Sequence, residues 1–227
     1  MKKLNQILRE GVYDPGIFKA FFLAGGPGSG KTFVTQSAFA GTGLKVVNSD
    51  TLFERGLKKA NLSLKMPENE AEFRDIIRQR AKSTAGTILD TYMRGRLGLV
   101  IDATGRDLNV INTQKRMLDQ IGYDSYMIFV NTSLEVALER NKNRPRSIPE
   151  YIVTNSWNGV QRNIGQFQRI FSPNRMLIVD NNRSEKELVT QTLNTAAKFI
   201  RGQLRATPQN LTAKQWIANE LQAKKRI

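Results

Sequence analysis

Residues 25 to 32 read Gly25-Gly26-Pro27-Gly28-Ser29-Gly30-Lys31-Thr32 and satisfy the pattern G-x-x-x-x-G-K-[ST] at every fixed position. No other stretch constrains the fold so tightly, because the pattern works only as a turn between a buried strand and a helix. Its four glycines let the backbone curl until successive N–H groups point inward at an anion. Lys31 is placed to reach the β- and γ-phosphates of a nucleoside triphosphate, and the Thr32 hydroxyl to ligate Mg²⁺. A helix starting near Lys31 adds its positive dipole end to the same site. The bland alternative is a glycine-rich turn that matches by accident. The flanks argue against it: residues 17–24 (IFKAFFLA) are an apolar run of strand type, and TFVTQSAFA is compatible with helix.

The rest of the chain repeats that alternation. Strands are expected at 44–48 (LKVVN), 97–103 (LGLVIDA), 125–131 (SYMIFVN) and 175–180 (RMLIVD). Between them fall helices at 67–94, 107–121, 133–140, 149–171 and 184 to about 205. In the first of these, Phe73, Ile76, Ile77, Ala81, Ala85, Ile88, Leu89 and Tyr92 recur at helical spacing, behind an acidic first turn. Apolar strands alternating with helices predict an α/β fold, a five-stranded parallel sheet with helices on both faces. ATPQN (206–210) reads as a linker, and Thr212 with Gln215 as a capping box for a last helix ending in Lys224, Lys225 and Arg226. The chain is thus expected to divide into a domain over 1–205 and a linker with a basic C-terminal helix over 206–227.

Composition narrows the chemistry. Cysteine and histidine are both absent from the 227 residues, which excludes disulfides, thiolate metal sites and cysteine or histidine catalysis. Proton transfer must then use a carboxylate, Lys, Tyr or water, a restriction that phosphoryl transfer with an Asp base satisfies. No apolar stretch has the length of a membrane span, and Arg9, Glu10 and Asp14 interrupt any signal-peptide core. A soluble, cytoplasmic protein is expected. The net charge of +15, from 35 Lys and Arg against 20 Asp and Glu, favours a polyanionic partner such as nucleic acid, or is simply a solvated basic surface.

In an open parallel sheet, ligands bind at the carboxyl ends of the strands, where Asp50, Asp102 and Asp180 fall. Asp50 ends the strand expected beside the phosphate loop and is a candidate base for an acceptor hydroxyl, or else an N-cap. Asp102 follows LGLVI and is a candidate Mg²⁺ ligand, with Thr104 and Arg106 next to it; a structural turn carboxylate is the alternative. Asp180 with Asn181 and Asn182 reads as a turn, near the nucleotide base. Arg140, Lys142, Arg144 and Arg146 crowd into ERNKNRPRSIP, a proline-bearing loop suited to a lid that delivers an arginine to transferring phosphate.

GGPGSGKT, VVNSD, LVIDATGR and ERNKNRPRSIPEYIV together resemble the phosphate-loop kinases that include phage polynucleotide 5′-hydroxyl kinase and the zeta-toxin kinases, over residues 18 to 182. The resemblance implies a P-loop NTPase fold of nucleoside-kinase type, ATP as donor, Mg²⁺, Asp50 as base, and Arg144 as lid arginine with Arg140 and Arg146 beside it. It departs in one place. The polynucleotide kinase has an arginine shortly after its catalytic Asp, where this chain has Thr51, Leu52 and Phe53, with Arg55 later. No phosphatase domain is expected. The implied activity is γ-phosphoryl transfer to a hydroxyl, preferably a nucleic-acid 5′-hydroxyl. A nucleotide sugar or other small acceptor, and a nucleotide-binding or NTPase module without kinase activity, are the rivals.

Overall fold

In KAFFLA every residue is buried, polar Lys19 included, which is what a strand enclosed on both faces requires. This strand, β1 (Lys19–Ala24), is the centre of a five-stranded sheet in the computed structural model, which describes residues 11–182 and 186–225. The others are β2 (Lys45–Val47), β3 (Leu99–Asp102), β4 (Asp124–Asn131) and β5 (Met176–Asp180). Their order is β2-β3-β1-β4-β5, and every pairing is parallel. The parallel α/β expectation is met, with one correction. β2, which leads to Asp50, does not lie beside β1; β3 intervenes, so the carboxylate next to the phosphate loop in the sheet is Asp102, in register with Leu23. The long apolar run of β3 belongs inside the sheet, and the short, half-exposed KVV of β2 suits an edge.

Alternate side chains of β1 feed two cores. Phe18, Ala20, Phe22 and Ala24 face one layer, built from α3 (Ala71–Arg94), α4 (Leu108–Gln120), α6 (Glu150–Phe171) and α8 (Leu211–Lys224). Phe21 and Leu23 face the other, built from α1 (Lys31–Ala38) and α7 (Lys186–Arg205). Helix α2 (Ser49–Lys59) sets Phe53 and Leu57 against Ala81 of α3 in a small third cluster, and α5 (Leu134–Lys142) buries Ala137. Two local expectations change. The region 67–94 opens with a 3₁₀ turn, Glu68–Glu70, before α3, whose buried stripe is Ala81, Ala85 and Leu89 while Phe73 and Ile76 face solvent. The last helix is capped by Asn210, whose side chain accepts from the Thr212 N–H, so no Thr212–Gln215 box forms. Ser184 and Arg226 lie outside the described residues. No described helix is long and apolar enough to cross a membrane.

The amino edge of the sheet is closed by a buried charge cluster. The Lys19 ammonium donates to Asp124 at 3.2 Å and to the Tyr126 hydroxyl at 3.3 Å. Asp124 also accepts from Arg175 and from the Gln209 N–H, which ties the segment before α8 to the sheet. Burial pushes the Lys19 pKa down, the Asp124 charge opposes that shift, and burial raises the Tyr126 phenol to about 12. Trp216 of α8 then packs edge-on to Phe18 at 5.5 Å, with Arg96 over its ring. Removing one partner of a buried pair strands the other charge. Asp124→Ala is therefore expected to cost about 3–5 kcal/mol in a urea unfolding titration; a loss below 1 kcal/mol would show that the cluster does not hold this edge.

Candidate active site

The turn from β1 to α1 wraps the carboxyl edge of the sheet. Gly28 (φ +80°) and Gly30 (φ +91°) take conformations that L side chains rarely adopt, and both have neighbours that leave no room for a Cβ. At Gly28 that atom would run into the Ala137 carbonyl of α5, and at Gly30 into the Asn181 amide. Loop shape is held from outside as well. The Gly25 N–H donates to the Thr104 carbonyl at 3.0 Å, and Asn181 Nδ2 donates to the Ser29 carbonyl at 2.7 Å in a buried bond. Asn182 accepts from the Ser133 N–H, the Ser133 hydroxyl caps α5, and the Asp180 carboxylate accepts from Asn182. Gly26 lies against Trp157 of α6, whose indole N–H donates to the Thr132 carbonyl. Pro27 and the exposed Thr32 complete the octapeptide.

Lys31 Nζ donates to the Gly25 carbonyl at 2.7 Å. Burial drives its pKa down, Asp102 and Asp50 oppose that shift, and Arg144 and Arg146 add to it. Four charged groups from separate parts of the chain thus act on Lys31. Asp102, at the end of β3, has its pKa raised by burial and lowered by Lys31. It accepts a hydrogen bond from Asn48, the N-cap of α2. Asn48 also accepts from the Asp50 and Thr51 N–H groups, so the cap of this helix is Asn48 and Asp50 is free to project from the first turn. Thr104 and Arg106 are exposed on the loop after β3, which Asn163 of α6 holds through the Gly105 and Arg106 carbonyls.

The arginine segment separates into three positions. Arg140, on α5, has its Nη1 buried without a partner and lies beside Gly30. Arg144 is exposed on the loop between α5 and α6. Arg146 reaches Asp50 Oδ2 at 3.4 Å, with its Nη1 buried and unpartnered. Asn141 clasps the base of the loop by donating to the Ile148 carbonyl and accepting from the Ile148 N–H. Sequence reasoning missed three residues: Asn48, Asn181 as a loop tether, and Arg78 of α3. Arg78 sits 4.0 Å from Asp50 Oδ1 with its guanidinium 4.0 Å over the Phe53 ring. VVNSD does carry a capping signal for Asn48, whereas nothing local marks Arg78 among the arginines of its helix.

The donor set suits a triphosphate and a hard cation. Ser29 Oγ, Arg140 Nη1 and Arg146 Nη1 are buried polar atoms without hydrogen-bond partners around the loop, and such orphans are costly unless something satisfies them. No group of three or more acidic side chains gathers among the described residues. One carboxylate (Asp102) and one hydroxyl (Thr32) are what a Mg²⁺ shared with nucleotide phosphates requires.

A parallel sheet of this order, with a glycine-rich phosphate loop between its central strand and a helix, defines a P-loop nucleotide-binding domain of kinase-like fold. The family described as "AAA domain" matches residues 21–166, and the chain belongs to that family. No curated protein matches the sequence. Among solved structures, a chain of the AvrRxo1-ORF1:-ORF2 complex with ATP is similar over 93% of this chain and 87% of its own, at TM-score 0.57 and 11% identity. A Chloroflexus aurantiacus protein provisionally described as a kinase is similar over 83% and 97%, at TM-score 0.53 and 17% identity. A chain of the Pnkp1/Rnl/Hen1 RNA repair complex is similar over 66% of this chain and 46% of its own, at TM-score 0.51 and 18% identity.

The loop geometry gives a contrast in glycine substitutions. Gly28→Ala, at positive φ against a carbonyl, is expected to lose about 1–3 kcal/mol of stability. Gly165→Ala, in α6 with nothing near the added Cβ, is expected to gain about 0.4–1 kcal/mol. Urea titrations of the two variants check the pair, and equal effects would overturn the reading of the loop.

Proposed function

We propose that the chain is an ATP- and Mg²⁺-dependent kinase that transfers the γ-phosphoryl group to a hydroxyl, with a nucleic-acid 5′-hydroxyl as acceptor. The observation that carries this reading is Asp50. It projects from the first turn of α2 into the cleft of Lys31, and its charge acts on both Lys31 and Asp102. A module that only bound nucleotide would have no need of a carboxylate paired with two arginines, at 3.4 and 4.0 Å, beside the phosphate loop.

In this reading the amides of residues 25–30 and the Lys31 ammonium hold the donor phosphates, and Arg140 faces them from α5. Thr32 and Asp102 would hold Mg²⁺, which when bound neutralises charge on the phosphates. Asp50 orients the acceptor hydroxyl and accepts its proton as the new O–P bond forms and the bond from γ-phosphorus to the bridging oxygen breaks, releasing ADP. Arg144, exposed on the lid, closes onto the transferring group, where a guanidinium matches the equatorial oxygens. The acceptor class rests on the +15 charge and on the excess of arginines around Asp50.

Incubation with γ-labelled ATP and a panel of 5′-hydroxyl oligonucleotides, nucleotide sugars and small alcohols tests the reading. Label on the oligonucleotides is expected; label only on a sugar nucleotide would move the acceptor to the small-molecule class. Asp50→Asn is expected to slow transfer at least about 100-fold while nucleotide affinity is kept. Full transfer in that variant would remove Asp50 as the base, and no transfer to any acceptor by the wild type would leave a nucleotide-binding module.

A further inference from the structure

We propose that the outward face of α6 is a track for single-stranded nucleic acid, held by Arg162 and Arg169 and entered over Tyr151. It goes beyond the kinase reading, because it lies outside the cleft and its binding can be measured with no nucleotide present. The helix buries Val153, Val160, Phe167 and Phe171 on its inner side. Turned away from them, Tyr151, Asn155, Asn158, Arg162, Gly165 and Arg169 recur at helical spacing, and all six are exposed. Tyr151 is 66% exposed and comes just after the arginine loop that enters the cleft through Arg146. From Tyr151 to Arg169 the stripe runs about 27 Å along the helix axis.

Three observations give the stripe its partner. Its charge is of one sign. Glu150 is the only carboxylate in the 22 residues of α6 and is paired with Lys142 at 3.0 Å, so the helix sets no acid beside its two arginines. Among the described residues neither Arg162 nor Arg169 has an ion-pair partner. The side chains between them and the cleft are asparagine and tyrosine, which bond phosphate and sugar oxygens. No aliphatic side chain stands among the six, which disfavours a membrane or an apolar protein surface. Gly165, finally, sits in mid-helix between the arginines with nothing within 4 Å of an added Cβ. Glycine weakens a helix interior, and no neighbour within the protein requires it here. It leaves the backbone open to close approach between two guanidinium groups roughly 10 Å apart along the axis. Phosphates of a strand laid along the stripe pair with these guanidinium groups, and a base stacks on the Tyr151 ring.

The test measures binding of a thymidine dinucleotide and a thymidine dodecamer to the full chain, without nucleotide and over a range of salt. The dodecamer is expected to bind at least about tenfold more tightly, with log affinity falling against log salt. Arg162→Ala and Arg169→Ala are each expected to make that slope shallower by about 0.7, the share of one phosphate on a single strand. Gly165→Glu is expected to weaken dodecamer binding at least about tenfold without lowering the urea midpoint. Tyr151→Ala is expected to weaken it about fivefold or more. In transfer from γ-labelled ATP, the Arg162→Ala, Arg169→Ala double variant raises KM for the dodecamer and leaves kcat and KM for ATP unchanged. No dodecamer binding by the wild type, affinity and slope unchanged in the variants, or equal displacement by polyglutamate of the same charge overturns the track. Length-dependent binding that the variants abolish supports it even where the wild type transfers no phosphate, and the kinase reading then fails alone. Transfer with equal KM for both oligomers overturns the track and leaves the kinase standing.

Discussion

An ammonium group resists removal from water, and in this cleft Lys31 is partly removed from it. Its pKa is depressed by burial, so the surroundings must give back what hydration would have supplied. The nearest compensation is the Gly25 carbonyl at 2.7 Å. The longer-range compensation comes from Asp102 at the end of β3 and Asp50 in the helix after β2, which the sheet order β2-β3-β1 brings to one edge. Asn48 joins the two, capping the helix that carries Asp50 and donating to Asp102 with the same amide side chain. The position of β3 between β2 and β1 is therefore part of the site. It puts a carboxylate next to the loop and sets the second one further out.

The loop is equally dependent on residues far away in sequence. Asn181 reaches the Ser29 carbonyl across 152 positions, and Thr104 accepts from Gly25. Helix α5 adds a link between the glycine loop and the arginine loop. Ala137, Arg140 and Asn141 are spaced so that they share one face of it. Ala137 backs Gly28, Arg140 stands beside Gly30, and Asn141 clasps Ile148 at the base of the arginine loop. A shift of α5 cannot move the arginine loop without pressing on the glycines, because both are mounted on the same turn of helix. This gives the segment Arg140–Arg146 a fixed root and a free tip at Arg144.

The octapeptide, the alternation of strands and helices and the acidic strand ends were legible because each is a local pattern: spacing, apolar run, cap. Strand order was not, since the place of β2 depends on a pairing that no single segment encodes. The Phe73 and Ile76 positions misled because periodicity reports that a helix has an apolar stripe, and not how far along its length the neighbours extend. Asn210 displaced the expected Thr212 box because its side chain also donates to the Asp119 carbonyl, a tertiary contact that fixes where the helix starts. Arg78 was hidden most completely. One of several arginines on α3, it is distinguished only by Phe53 beneath it and Asp50 beside it, both from another helix.

Net charge alone says little about what such a cleft accepts, since most of a +15 surplus can lie on solvated faces. The charges within the cleft say more. Lys31, Arg74, Arg78, Arg140, Arg144 and Arg146 stand around three carboxylates, Asp50, Asp75 and Asp102, so the protein contributes an excess of three positive charges. In the proposed reaction, a nucleoside triphosphate brings about four negative charges and a bound divalent cation returns two of the opposite sign. About one positive charge is then left without a counterpart, and the two arginines nearest the acceptor side, Arg78 and Arg146, share Asp50. A neutral acceptor would leave that excess in a partly dry site, where an unpaired charge is costly.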